Sequence, residues 1–323
     1  LEFRRVLFRS AGRDLTEKIT ALNDEGCPTC SLCHAVCTGC PFVHCAYQCS
    51  VIGDLELEGI SETKHLVSQA LSEVHAQPSL WLRGLTMLPP LPDPLSVEYS
   101  FHSSYQHLHV EGLVLGGDGS GGRLTKDWRT RRCGFGLAII KANVGDGILK
   151  GELDFQDNEG VVGYASGSVP GSQTVPRAEA TALLHALRTT SGSAVFICDN
   201  LGVVKRYQRC TYNKQPAGNG MLWNLIAKAK ELRENSGRGS LEVVWLRSHS
   251  SFEAAINQSY LPAHWIVNQL ADKLAGLAAD RHQISPLAYN TLQESTSLAS
   301  AVMLRLRSEE HTSELQSRQY LVC

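Results

Sequence analysis

The run AVFICDNLGVVKRY, residues 194–207, holds the reading that decides the fold. Ala194 to Cys198 are apolar and β-prone, so they read as a buried strand. Asp199 ends that strand, and Asn200 carries the side-chain oxygen that caps a helix over Leu201 to Tyr207. Working outward, apolar strand-like runs occur at Gly112–Gly117, Phe135–Ile140, Gly160–Val169 and Leu241–Leu246. Helical patterns fill Arg177–Leu187, Met221–Leu232 and His264–Ala279, the last with Leu270, Leu274 and Leu277 on one face. Three strands arriving as a meander, followed by alternating helices and strands, imply a mixed sheet with helices packed on it.

The two ends are expected to be foreign to this fold. Reading LEFRRVLFRS (Leu1–Ser10) backwards through reverse-complement codons returns RSEEHTSELQ (Arg307–Gln316), as if one DNA segment flanked the gene in both orientations. The pattern resembles a translated library adaptor, so residues 1–10 and 307–323 are set aside and the protein is expected to be a fragment. Between them the expected organisation is a cysteine-rich zinc-binding module over 11–57 and a helix with a proline-rich linker over 58–108. The main α/β domain then covers 109–282, and a helical tail 283–306. The composition, 43% hydrophobic with a net charge of −2, is that of a globular chain without strong global attraction to nucleic acid. Binding of that kind has to come from a local basic face or from metal ions. No apolar run approaches the ~20 residues needed to span a bilayer, so no membrane association is expected.

Four acids sit where strands and helices deliver them to the sheet edge. Asp118 follows a strand in DGSGG, Glu179 lies in QTVPRAEA in the first turn of a helix opened by Pro176, and Asp199 ends the strand above. Asp272 lies one turn after Asn268 in the last helix. Taken singly, each has a structural explanation as a turn, cap or first-turn residue. Taken together, acids gathered at one edge repel one another unless cations are present, and carboxylate oxygens are hard ligands suited to Mg²⁺.

The segments DGSGG, QTVPRAEA, FICDN, LRSHS (with His249) and NQLADKLAG are similar, in order, to the signature segments of the type I ribonuclease H family, over roughly Val110–Ala279. The run DGSGGRLTKDWRTRRCGFG and the insertion between His249 and the last helix resemble the ribonuclease H domains that follow reverse transcriptase in some non-LTR retroelements. The resemblance implies a ribonuclease H-like mixed five-stranded sheet flanked by helices. It also implies endonucleolytic cleavage of the RNA strand of RNA/DNA hybrids, leaving a 5′ phosphate and a 3′ hydroxyl. Asp118, Glu179, Asp199 and Asp272 would hold two Mg²⁺ ions about 4 Å apart, with Mn²⁺ as an alternative, and His249 would assist proton movement or product departure. Ser120, Arg177, Asn200 and Asn268 would touch nucleic acid. Arg123, with Lys126, Arg129, Arg131 and Arg132 in the long first hairpin, could contact phosphates or simply form a solvated turn. Two positions depart from the family pattern: Gly117 stands where Thr is usual before Asp118, and Val267 where Gly is usual before Asn268. A reverse transcriptase domain of the same polyprotein is a further expected partner, and the expected compartment is intracellular, nucleus or cytoplasm. The competing readings are a decayed retroelement remnant that only binds nucleic acid, and an integrase-like or exonuclease domain of the same fold; Arg177 and the His249 loop argue against the second.

Seven of the eleven cysteines fall between Cys27 and Cys49. Cys27, Cys30, His44 and Cys49 have spacing suited to a tetrahedral structural Zn²⁺ site, while Cys33, His34, Cys37, Cys40 and Cys45 offer competing sets. A disulfide framework would leave one of the seven over. The scattered Cys133, Cys198 and Cys210 read as small core residues.

Overall fold

The computed structural model describes residues 20–22, 28–30, 33–36, 43–54, 58–86, 97–100, 107–144, 160–211 and 220–320. It divides into two compact units, one formed by Leu1–Pro89 with Pro286–Cys323 and the other by Pro90–Ser285. Among the described residues no helix is long and apolar enough to cross a membrane.

In the first unit a short antiparallel ladder joins β1 (Thr20–Leu22) to β2 (Pro28–Cys30). A single π-helical stretch (His44–Gln48) and the helices α1 (Ser50–Gly53), α2 (Glu58–Glu62), α3 (Val67–Glu73) and α4 (Pro78–Arg83) follow. The C-terminal helix, Pro286–Tyr320, belongs to this unit and continues through the 306/307 boundary. Its Ala299 and Val302 bury against Tyr47, Leu66, Ala70, Leu80 and the fully enclosed Trp81. Arg305 is buried there as well, donating to the Ala46 carbonyl at 2.6 Å and lying over the Tyr47 ring. A buried guanidinium survives because carbonyl and aromatic faces replace its water.

The second unit carries the sheet. Its strands are β3 (Glu98–Tyr99), β4 (Leu108–His109), β5 (Leu113–Ser120), β6 (Gly134–Lys141), β7 (Val161–Ser168), β8 (Thr190–Ser191), β9 (Ala194–Cys198) and β10 (Leu241–Trp245). The helices are α5 (Val175–Thr189), α6 (Leu201–Arg209), α7 (Gly220–Asn235), α8 (Phe252–Asn257) and α9 (Pro262–Arg281). A six-stranded sheet runs in the order β10-β9-β5-β6-β7-β3, with β5, β6 and β7 antiparallel and β9 and β10 parallel to their neighbours. The architecture is thus the mixed α/β layer arrangement that the element order implies, enlarged by one strand. Two-residue β3 lies in the stretch read as linker, too short to show any periodicity. It pairs with β7, and Tyr99 hydrogen-bonds His185, whose ring stacks on Phe135.

Alternation along the strands divides the core in two. Leu115, Leu137, Ile139 and Phe196 pack under α5 and α7, whereas Val114, Ala138, Ile140 and Ile197 pack under α9. Glycines set how closely α9 approaches. A Cβ added to Gly116 would stand 2.7 Å from the Val267 carbonyl oxygen, and one on Gly136 would strike the Ala271 oxygen and the Ala275 nitrogen. The helix answers with alanines at 263, 271, 275, 278 and 279, all buried. Its backbone therefore lies almost directly on β5 and β6, which carries Asp272 toward the strand bearing Asp118.

Candidate active site

The four acids stand on four different elements. Asp118 sits near the end of β5, opposite Gly136, and is 6% exposed. The Gly119 backbone N–H donates to its Oδ1 at 2.6 Å. Glu179 lies in the second turn of α5 and is 4% exposed. That helix start can press onto β5 because Gly119 has no side chain: a Cβ there would stand 2.6 Å from Ala178 Cβ and 2.7 Å from the Val175 oxygen. Asp199 stands just past β9, half-buried, its carbonyl held by the Trp245 indole N–H at 2.9 Å. Asp272 is exposed on α9.

Electrostatics tie these groups together. Burial is the main cause that pushes Asp118 up to about 8, with Asp199 and Asp272 adding repulsion. Burial likewise pushes Glu179 up to about 8, reinforced by Asp199 and Asp118 and partly offset by a hydrogen bond from the Asn200 side chain. Asp199 is raised by burial and by Asp272, while His249 lowers it. Glu179 Oε2 is buried with no hydrogen-bond partner. Hard oxygen donors, mutual repulsion and an orphaned carboxylate oxygen are together the donor chemistry that Mg²⁺ fits.

These shifts make stability depend on pH in a defined direction. Without added Mg²⁺ the folded chain keeps the Asp118 and Glu179 protons until about pH 8, whereas the unfolded chain releases them in the ordinary carboxylate range. Their contribution is fully present below that range and is lost as pH rises through about 8. His185, held down to about 4 by burial, has the opposite slope in the acid range, so the comparison belongs above it. Urea midpoints are expected to fall between about pH 7 and about pH 8, and Glu179→Gln to flatten that fall. Unchanged midpoints in the wild type would contradict it.

The surrounding polar residues divide by what they touch. Asn200 caps α6, accepting from the Gly202 and Val203 N–H groups. Asn268 is 4% exposed one turn before Asp272, with Oδ1 unpartnered. The Ser120 hydroxyl accepts from the Gly122 N–H, and Arg177 donates to the Pro170 carbonyl. His249 is exposed in a turn after β10 with φ of 51°, a left-handed conformation uncommon outside glycine. Trp265 anchors that turn by donating to the Ser250 carbonyl. In the first hairpin most of the arginines build the turn. Arg129 pairs with Asp127, Arg131 donates to the Thr125 carbonyl, and Arg132 is buried with one nitrogen on the Arg129 and Arg131 carbonyls. Arg123 is exposed and pairs with Asp280.

Both departures from the family pattern have local causes. The Phe196 ring fills the space that a side chain at Gly117 would need, and Gly116 makes room for Val267.

The cysteine module lies in the first unit. Cys27 is outside the described residues. Among those described, Cys30, Cys33, His44 and Cys49 place one donor atom each within 4.8 Å of one another. Cys33 Sγ lies 3.2 Å from His44 Nε2 and Cys30 Sγ lies 3.8 Å from Cys49 Sγ. Cys33 joins the cluster from a turn, with the Cys30 carbonyl accepting from the His34 N–H. Spacing leaves that choice open, since it does not contain the turn.

No protein-family model and no curated protein sequence matches the chain. Solved structures that it is similar to include the RNase H domain of PFV, at 17% identity and a TM-score of 0.37 over 53% of this chain and 95% of that one. RNase H1 from the halophilic archaeon Halobacterium salinarum is 18% identical, with a TM-score of 0.33 over 52% and 98%. The foamy viral protease-reverse transcriptase in complex with RNA/DNA hybrid is 16% identical, with a TM-score of 0.35 over 61% and 23%. Likeness this low says nothing about activity.

One residue at the site escapes a reading of the sequence. Cys198 is fully buried, as a small core residue would be, yet its sulfur lies within 4.8 Å of donor oxygens of Glu179 and Asp199.

Proposed function

We propose that the second unit is a metal-dependent endonuclease that hydrolyses the RNA strand of RNA/DNA hybrids. The observation that supports the reading is the mutual repulsion of Asp118, Glu179, Asp199 and Asp272, from four separate elements, with Glu179 and Asp199 placing donor oxygens within 4.8 Å of each other and Glu179 Oε2 buried without a partner. The signature segments that bear these acids add the choice of substrate. Bound there, a pair of Mg²⁺ ions would supply water activation and stabilisation of the leaving 3′ oxygen. Asp118, Glu179, Asp199 and Asp272 would hold the ions; the Asn200 side chain orients Glu179, and the Trp245 bond to its carbonyl steadies Asp199. Exposed His249, beside Asp199, moves a proton between solvent and the reacting groups. Products carry a 5′ phosphate and a 3′ hydroxyl. The retroelement type, with a reverse transcriptase domain of the same polyprotein as partner, rests on the resemblance of the first hairpin and of the insertion after His249.

The test is a Mg²⁺ titration with hybrid, duplex DNA and duplex RNA in parallel. Cleavage confined to the RNA of the hybrid supports the proposal. A protein that binds hybrid but leaves it intact at every Mg²⁺ concentration is the decayed remnant instead, and cleavage of duplex DNA points to another nuclease.

For the first unit we propose that Cys30, Cys33, His44 and Cys49 hold one structural Zn²⁺. Burial pushes the Cys49 thiol up to about 12, so zinc binding there would have to displace its proton. Cys33→Ser is expected to lose the bound zinc by elemental analysis, whereas Cys45→Ser keeps it. Equal zinc content in both variants would refute the ligand set.

A further inference from the structure

Mg²⁺ is a hard cation and avoids sulfur, so a thiol among its carboxylates is chemically out of place. Successive strand residues point to opposite faces, and Cys198 and Asp199 would ordinarily diverge. Here β9 stops at Cys198 and the chain turns into the Asn200 cap, with the Asp199 carbonyl tied to Trp245. Both donors consequently reach Glu179, and the three donor atoms lie within 4.8 Å of one another. Glu179 Oε2, nine-tenths buried and unpartnered, supplies a second and independent sign of a ligand position.

We infer that Cys198, Glu179 and Asp199 form a site for thiophilic divalent cations, Zn²⁺ or Cd²⁺, which overlaps the Mg²⁺ centre and blocks it. The inference rests on reading the four acids as a metal centre. One sulfur and two carboxylates leave a fourth position open for water, the usual arrangement of an accessible zinc site. Binding releases the thiol proton to solvent, and occupancy by the soft ion falls when Mg²⁺ is in large excess. Hydrolysis would thereby stop at concentrations of thiophilic metal far below those of Mg²⁺, through the position next to an acid and without any separate regulatory domain.

The experiment uses the full chain with its cysteine module loaded with Zn²⁺, titrated with Cd²⁺ and followed by calorimetry and by ultraviolet sulfur-to-cadmium charge-transfer absorbance. Cys198→Ser keeps every other cysteine, so the module's contribution cancels in the difference from wild type. The expected result is a sulfur–cadmium absorbance increment in wild type that Cys198→Ser lacks, with Cd²⁺ affinity lower by on the order of 10-fold or more. Glu179→Gln, which leaves the thiol in place, is expected to lose the same increment, and circular dichroism checks that both variants fold. Equal Cd²⁺ absorbance and affinity in wild type and Cys198→Ser would overturn the inference, as would an increment that persists in Glu179→Gln. Mg²⁺-dependent hybrid cleavage, measured on the same wild-type sample, separates the two readings. Cleavage without the increment sinks this inference alone, and the increment without cleavage sustains it while the hydrolase reading falls.

Discussion

Asp199→Asn is expected to remove hydrolysis of the hybrid's RNA strand, by on the order of 10²–10³-fold or more, while the protein still folds and still binds hybrid. The substitution is nearly isosteric, and the Trp245 bond goes to the Asp199 backbone carbonyl, which the change leaves in place. What it deletes is charge. Asp199 repels both Asp118 and Glu179 and therefore stands among them electrostatically. Without it two of the remaining acids lose a cause of their raised protonation, so the variant is also expected to be no less stable than wild type in the absence of Mg²⁺. Single-turnover cleavage, hybrid binding in Ca²⁺ and urea denaturation measure the three consequences. Wild-type cleavage by Asp199→Asn would remove this carboxylate from the centre.

Gly136→Ala is expected to cost about 1–3 kcal/mol or more of stability, the usual penalty for overfilling a packed core. The added methyl would strike the Ala271 oxygen and the Ala275 nitrogen, which are helix backbone and cannot rotate away as a side chain can. Relief requires α9 to lift from β6. Asp272 travels with that helix, so cleavage is expected to fall together with the urea midpoint. Gly276→Ala supplies the contrast. Nothing lies within 4 Å of a Cβ at that position of α9, and the change is expected to stabilise the helix by roughly 0.8–1.0 kcal/mol. If both variants unfold at the wild-type midpoint, the close seating of α9 is wrong.

Much of the second unit was legible because its elements repeat a pattern long enough to read. β5, β6, β7, β9 and β10 are apolar runs with turns between them, and α9 shows Leu270 and Leu274 at helical spacing on its buried face, although Leu277, expected on the same face, is exposed. β3 was not legible, since two residues carry no period and its hold comes from Tyr99 meeting His185, far along the chain. The acids could be placed at strand ends and helix starts, but the approach that brings them together depends on Gly116, Gly119 and Gly136 as contact surfaces, which no single strand reveals. The hairpin arginines illustrate a different limit. Their charge suggested phosphate contacts, whereas Asp127 and nearby carbonyls occupy Arg129, Arg131 and Arg132. Cys33 and Cys198 were both hidden by local backbone geometry, a turn at Cys33 and the end of β9 at Cys198, that residue spacing does not contain.

The close seating of α9 also bears on when a nascent chain completes its set of four acids. Asp272 stands more than a hundred and fifty positions downstream of Asp118, on the last helix of its unit to leave the ribosome. Until that helix docks, the sheet and α5 carry three acids beside an open glycine floor. A polypeptide halted before Pro262 would thus carry three of the acids but neither Asp272 nor the helix that covers β5 and β6.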